Sequence, residues 1–174
     1  TTLESSARAV ALAERFPLVY AAVGWHPANA LESPEDIREP LAKLATHPKV
    51  VAIGETGMDH YHLPSRREGG TERDDERYRS RQVDLFRQQL EVAENLGLNV
   101  VIHEREAFES TIEVLSPFST RLKGVFHCFS GTPERVEILM KLNCLVSFTG
   151  ILTFKNGENI RQALRATPPD RFMV

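Results

Sequence analysis

The sequence has 174 residues, of which 41% are hydrophobic, a composition that suits one domain with a single buried core. Its 21 basic and 24 acidic residues give a formal net charge of -3, which excludes a protein that holds nucleic acid by overall positive charge. No apolar run approaches the roughly 20 residues of a membrane span, and no secretory signal opens the chain, so we expect a cytoplasmic protein, or a nuclear one in a eukaryote.

The chain alternates short β-rich runs with longer amphipathic segments, which indicates crossover units that feed a parallel sheet. It opens in a predicted helix that Pro17 ends. The predicted strands are apolar on both faces, as in a sheet that is covered by helices or closed on itself. They are residues 18–24, 50–54, 99–103, 124–129, 144–148 and 171–174.

Helix punctuation separates these strands. Ser33, Pro34 and Asp36 predict a helix start with a cap, a first-turn proline and an acidic partner. The later helices are predicted by an apolar stripe through Val83, Phe86, Leu90 and Ala93 that ends before Gly97, by Thr132 and Pro133 as a start, and by residues 159–166.

Residues 65–81 break this rhythm with six arginines, five acids and almost nothing apolar. This composition predicts a solvated, mobile loop inserted between a strand and a helix of the single domain 1–174. Arginines near an active-site mouth can also grip phosphates, but the interleaved acids argue against that interpretation.

Ionisable side chains recur at the C-terminal ends of four successive predicted strands. His26, Glu55, His103 and His127 stand there, and in a parallel barrel these ends converge on the face that carries the active site. A carboxylate with neutral imidazoles suits zinc, manganese or a similar divalent ion. The sequence therefore predicts a metal-dependent hydrolase.

Each residue of this set has a predicted role. Glu55 is the candidate bridge between two ions, and His103 and His127 are the candidate terminal ligands. His26 precedes Pro27 in extended chain, and it either contacts a substrate phosphate or caps the neighbouring loop.

Three neighbouring polar residues are predicted to stand outside the ligand set. His60 and His62 follow the second strand and are interpreted as surface residues. Glu104 should point away from His103, as a partner of a ligand or as a gate.

Six strings in the chain together resemble the TatD family of metal-dependent deoxyribonucleases, within the amidohydrolase-like barrels. They are G-W-H-P at 24–27, V-A-I-G-E-T-G-M-D at 51–59, Q-x3-F-x2-Q-L at 82–90, V-I-H-E-R-E-A at 101–107, F-H-C-F-S-G at 126–131 and S-F-T-G-I-L-T-F-K at 147–155. One such string is a weak signal, whereas six in the family's order over nearly the whole chain are specific.

The resemblance implies a TIM-like (β/α) barrel with two magnesium, manganese or zinc ions. In this reading Glu55 bridges the ions and, together with His26, contributes to catalysis, His103 and His127 ligate one ion, and His26 and Ser130 bind the substrate. The implied activity is hydrolysis of DNA phosphodiester bonds by a metal-activated water, in the manner of a 3'-5' exonuclease.

Three departures from the family pattern bear on these expectations. No H-x-H pair of a first strand and no terminal E-T-D string is present, and Glu104 stands where a small polar residue is common. We therefore expect an incomplete barrel of about six strands out of eight, without the first two and the end of the last, from a protein that is a monomer at full length. Two alternatives remain open: the same fold hydrolysing an amide or ester of a small molecule, and an inactive barrel.

Overall fold

The computed structural model describes every residue of the chain, Thr1–Val174. Six parallel strands form one sheet in which each strand pairs with the next along the sequence. They are β1 (Ala21–Val23), β2 (Val50–Asp59), β3 (Asn99–Arg105), β4 (Gly124–Phe126), β5 (Leu145–Ser147) and β6 (Phe172–Met173). Because β1 and β6 each have one neighbour, the sheet is not closed, which confirms the predicted incomplete barrel.

Six α-helices precede or connect the strands. They are α1 (Leu3–Glu14), α2 (Arg38–Ala45), α3 (Glu72–Leu96), α4 (Phe108–Leu115), α5 (Pro133–Lys141) and α6 (Glu158–Ala166). Gly97 ends α3 in the left-handed conformation at φ 65, where a residue without Cβ is favoured. None of the helices combines the length and the apolar character required to traverse a bilayer.

The predicted loop over residues 65–81 is wrong in its second half, because α3 begins at Glu72 and continues through it. Thr71 caps this helix by accepting a hydrogen bond from the Asp74 backbone N–H, and the Asp74 carboxylate accepts from the Thr71 N–H in return. Glu72 and Asp75 also lie in the first turn, where negative charge is favoured. The charge-rich composition concealed a helix whose first turns are stabilised by a cap instead of an apolar stripe.

Several other boundaries differ from the prediction. The strands β1 and β4 are shorter than the predicted 18–24 and 124–129, since β1 begins at Ala21 and β4 ends at Phe126. Ser33 does not start a helix but ends the 3-10 helix Pro27–Glu32, and its hydroxyl donates to the Ala30 carbonyl. The strands β2 and β3 run beyond their predicted ends at residues 54 and 103, because they resume pairing from Thr56 to Asp59 after an irregularity that follows Ile53.

The core lies between the sheet and the helices. The fully buried strand residues on that face include Ile53, Val100, Ile102, Phe126 and Val146. On the opposite face the side chains are only partly covered: Val101, Val125 and Leu145 are half-buried, and Val51 and Met173 are 47% and 44% exposed. Since His103 alternates with Ile102 in the same way as Val101 does, it belongs to the open face.

Candidate metal centre

Glu55, in the middle of β2, and His103, near the C-terminal end of β3, meet side by side. His103 Nδ1 lies 3.3 Å from Glu55 Oε1, and a nitrogen of His26 joins them so that the three ligand atoms lie within 4.8 Å of one another. The side chains are 32% exposed for Glu55, 20% for His103 and 16% for His26, so the group is accessible from one side. A carboxylate and an imidazole at this separation can hold one divalent ion.

Asp59, at the end of β2, holds His103 in place. Its Oδ2 accepts from His103 Nε2 at 3.0 Å and from His62 Nδ1 at 2.8 Å, while its Oδ1 accepts from the backbone N–H groups of Tyr61 and His62, each at 2.9 Å. Only 1% of its side chain is exposed. A buried carboxylate is stable here because every contact is a charge-assisted hydrogen bond.

These contacts set the protonation of the centre. Burial disfavours the imidazolium of His103, but the hydrogen bonds to Asp59 and Glu55 outweigh burial and raise the pKa of His103 to about 9. The hydrogen bond from His103 holds the pKa of Glu55 below its usual range, against the effect of burial. Burial acts to raise the pKa of Asp59, but the hydrogen bonds from His103 and His62 prevail and keep it well below its usual range.

The metal-free centre is therefore an imidazolium between two carboxylates. Without a metal ion, the proton on His103 supplies the positive charge that the two carboxylates stabilise. Once that proton is lost, a bound divalent cation can supply the positive charge instead.

His26 differs from the other two because its ring accepts a hydrogen bond. The backbone N–H of Ala28 donates to His26 Nδ1 at 3.1 Å, so the neutral ring carries its proton on Nε2, which lies 3.8 Å from Glu55 Oε2. Burial, followed by the charge of His103, lowers the pKa of His26 to about 4, so the ring is neutral near pH 7. A protonated nitrogen cannot coordinate a metal ion but can donate to a phosphate oxygen.

Two buried glutamines of α3 fix the strand ends that carry these side chains. Gln82 accepts from the Asp59 N–H at 3.0 Å and donates to the carbonyl oxygens of Asp59 and Pro27, each at 3.1 Å. Gln89 does the same for Trp25, accepting from its N–H at 2.7 Å and donating to its carbonyl at 2.9 Å. The buried face of α3 therefore contains more than the predicted apolar stripe, because a row of glutamines on the same helix is equally buried.

Gly57 allows β2 to approach β3 beside the ligand. It pairs with His103 in register at φ +124, and a Cβ there would lie 2.1 Å from the His103 carbonyl oxygen. A side chain at this position would therefore force the two strands apart at the metal centre.

His127 and Ser130 lie on the chain that follows β4. The His127 N–H donates to the Ile102 carbonyl at 2.8 Å, which keeps His127 beside β3, one strand away from Glu55. Its side chain is exposed and is not among the three whose ligand atoms lie within 4.8 Å, although its charge helps to lower the pKa of Glu55. Ser130 is exposed, and its hydroxyl makes no hydrogen bond.

The sequence interpretation missed Asp59 and undervalued His62. His62 keeps 40% of its side chain exposed, as expected of a surface residue, but its ring contacts the buried Asp59. The signal was the string D-H-Y-H at 59–62, since an aspartate often accepts from the backbone two and three residues ahead. Glu104 is turned away from His103 as predicted, and its carboxylate accepts from the Ala107 N–H at 2.8 Å instead of contacting a ligand.

Comparison with known proteins gives consistent results. The family profile described as TatD related DNase matches residues 1–174. The chain is 34% identical over 168 residues to the uncharacterized metal-dependent hydrolase YabD of Bacillus subtilis, a match that covers 96% of this chain and 61% of that protein. It is 33% identical over 177 residues to a protein of Erwinia billingiae named 3'-5' ssDNA/RNA exonuclease TatD, covering 100% of this chain and 63% of that protein.

Among solved structures, the TatD homologue YJJV of Escherichia coli K12 superposes with a TM-score of 0.82 at 27% identity, over 99% of this chain and 62% of that one. The chain spans less than two thirds of the length of each of these relatives.

Proposed function

Because this chain belongs to the TatD family of related DNases, we propose that it is a metal-dependent hydrolase that cleaves DNA phosphodiester bonds from the 3' end. The observation that carries the proposal is the meeting of Glu55 and His103, from two different strands, with their ligand atoms 3.3 Å apart at the open end of the sheet. The relative from Erwinia billingiae, named a 3'-5' ssDNA/RNA exonuclease, supports the polarity.

The donor set fits a divalent cation, because Glu55 is ionised and His103 presents Nδ1 toward it. Glu55 and His103 would hold the ion, with His127, on the chain that follows β4, as a further ligand and Glu55 as the ligand shared by a pair of ions. A divalent ion at this place supplies a Lewis acid that activates water and stabilises charge on the phosphate oxygens.

The residues around the ions bind and orient the substrate. His26 donates from Nε2 to a non-bridging phosphate oxygen, since its Nδ1 is already occupied by the Ala28 N–H. Asp59 keeps Nδ1 of His103 turned toward Glu55 by binding the opposite nitrogen of the ring. Ser130, whose hydroxyl is free, is the candidate for a second phosphate contact.

The experiment compares Glu55→Gln and His103→Ala with the parent protein on a 5'-labelled DNA oligonucleotide in the presence of manganese or magnesium. We expect the parent to shorten the strand from its 3' end and each variant to lose about a hundredfold or more in rate, together with bound metal measured by elemental analysis. Glu137→Gln, at an exposed position of α5 without an ion pair, is the matched control and should behave like the parent.

Other outcomes would replace the proposal. A parent protein that binds metal and hydrolyses small esters or amides while sparing DNA would be a hydrolase of another substrate class. A parent protein that takes up no metal and cleaves nothing would be an inactive barrel.

A further inference from the structure

We propose that Tyr61 and Arg105 form a platform that binds single-stranded nucleic acid one nucleotide away from the metal centre, a role that rests on the proposed nuclease function. Arg105 is the last residue of β3, and Tyr61 lies in the turn that follows β2, so both are adjacent to the strands that carry His103 and Glu55.

The platform is a preformed stack. The Arg105 guanidinium carbon lies 3.6 Å from the centroid of the Tyr61 ring, and both residues are exposed, Tyr61 by 42%. Arg66 donates to the Tyr61 carbonyl at 2.9 Å and to Glu106 at 3.0 Å, and its guanidinium carbon lies 5.6 Å from the centroid of the same ring. The planar groups are thus arranged before any ligand arrives.

The donors of Arg105 are unused. Arg66 is neutralised by Glu106, whereas the guanidinium of Arg105 has neither a carboxylate within 4 Å nor a hydrogen-bond acceptor in the structure. Its charge is therefore available to a ligand, and its N–H groups match two oxygens of one phosphate.

The distance between the platform and the metal centre determines which nucleotide of a bound strand the platform can contact. Arg105 follows His103 by two residues on β3, so both side chains leave the same face, about 6.6 Å apart along the strand. Asp59 joins the two sites directly, because one of its oxygens binds the His103 ring and the other binds the N–H groups of Tyr61 and His62. A nucleotide next to the one held at the metal centre comes within reach of the platform.

The chemistry selects a single strand. Bases stack on exposed aromatic rings whatever their sequence, and arginine adds a phosphate contact that weakens with salt. In a duplex each base is covered by the neighbouring base pairs, so no base face is free to stack on Tyr61. The platform therefore accounts for binding of unpaired DNA ends without sequence preference.

The test uses Glu55→Gln as the background, so that the strand is bound without being cut. Binding of a fluorescent oligothymidylate is measured by anisotropy without added metal ion at several salt concentrations, with Tyr61→Ala, Tyr61→Phe and Arg105→Ala added in turn. We expect Tyr61→Ala to weaken binding about tenfold and Tyr61→Phe to retain it, since the ring is kept. Arg105→Ala should weaken binding and reduce the slope of log Kd against log salt by about 0.7.

The matched control is Tyr20→Ala. Tyr20 is 57% exposed with the Lys49 ammonium 4.9 Å from its ring, but it precedes β1 at the opposite end of the strands. It should leave oligothymidylate binding unchanged. The melting temperature of each variant, and the manganese affinity of the same Tyr61, Arg105 and Tyr20 variants made with Glu55 retained, show whether the fold and the centre are intact.

Three results would overturn the proposal. If the parent cleaves DNA but Tyr61→Ala and Arg105→Ala bind oligothymidylate as tightly as the background protein, the platform is wrong and the nuclease function stands. If the parent neither binds nor cleaves DNA, both proposals fail together. Equal losses in Tyr61→Ala and Tyr61→Phe would assign the effect to the hydroxyl and likewise reject stacking.

Discussion

His103 donates from Nε2 to Asp59 Oδ2 at 3.0 Å, and this contact turns Nδ1 of the same ring toward Glu55. When the ring is neutral, the carboxylate keeps the proton on Nε2, so that Nδ1 is the nitrogen available to an ion. The orientation of the predicted ligand thus depends on a residue that is not itself in the ligand group.

Asp59→Asn should weaken divalent metal binding by about 10 to 100-fold, because the amide no longer selects the tautomer of His103. Calorimetric titration with manganese measures the change. Asp170→Asn serves as the control, since Asp170 is exposed and forms no ion pair. Unchanged affinity in Asp59→Asn would show that His103 is oriented without it.

His26→Ala should lower the rate of DNA cleavage by about tenfold or more while metal affinity stays close to that of the parent. The reason is that His26 Nδ1 accepts from Ala28, which leaves Nε2 as a donor to substrate and not as a ligand. Cleavage rates and manganese titration of the same sample separate the two effects. If His26→Ala lost as much bound metal as His103→Ala, the assignment of the His26 proton to Nε2 would be wrong.

The stability of the metal-free protein should fall as pH rises through 9. The pKa of His103 rises on folding from 6.5 to about 9, so the contribution of its proton to the free energy of unfolding is fully present below pH 6.5 and is lost above pH 9. At roughly 1.4 kcal/mol per pKa unit the loss is at most about 3.5 kcal/mol.

Urea unfolding in a chelator at pH 6.5 and pH 9.5 measures this loss. His103→Gln is the reference, because groups such as the buried Cys144 thiol, with its pKa raised to about 11, contribute equally to both proteins. The same decrease in His103→Gln would assign the effect to other residues.

Gln82→Leu should lower the free energy of unfolding by about 3 kcal/mol, which corresponds to a melting temperature lower by roughly 10 °C. The side chain has no exposed surface, and its loss leaves the N–H of Asp59 and two carbonyl oxygens without partners. Gln162→Leu, on the exposed face of α6, should change the melting temperature little. Calorimetry of the two variants compares them, and equal shifts would reject a role for the buried amide.

Local patterns were sufficient for the order of the sheet. Short runs that are apolar on both faces predicted all six strands, and in the structure each strand pairs with the next one along the sequence. These hydrophobic patterns gave wrong predictions where polar hydrogen bonds determine the local structure. Residues 72–81 were predicted as loop because the cap at Thr71 was overlooked, and the buried row of Gln82 and Gln89 was invisible to a pattern that looks for hydrophobic side chains.

By itself, the sequence determined that Glu55 and His103 would be carried by neighbouring strands of a parallel sheet, because the period of a strand and the direction of a parallel sheet are local and general. Only the tertiary structure decided which atoms meet. The register of β2 against β3 brings Asp59 and Glu55 to opposite nitrogens of His103, and the turn after β1 gives Nδ1 of His26 to a backbone N–H. Hydrogen bonds require distances that are correct within a few tenths of an ångström between residues far apart in the chain. The spacing of those residues along the sequence does not predict such distances.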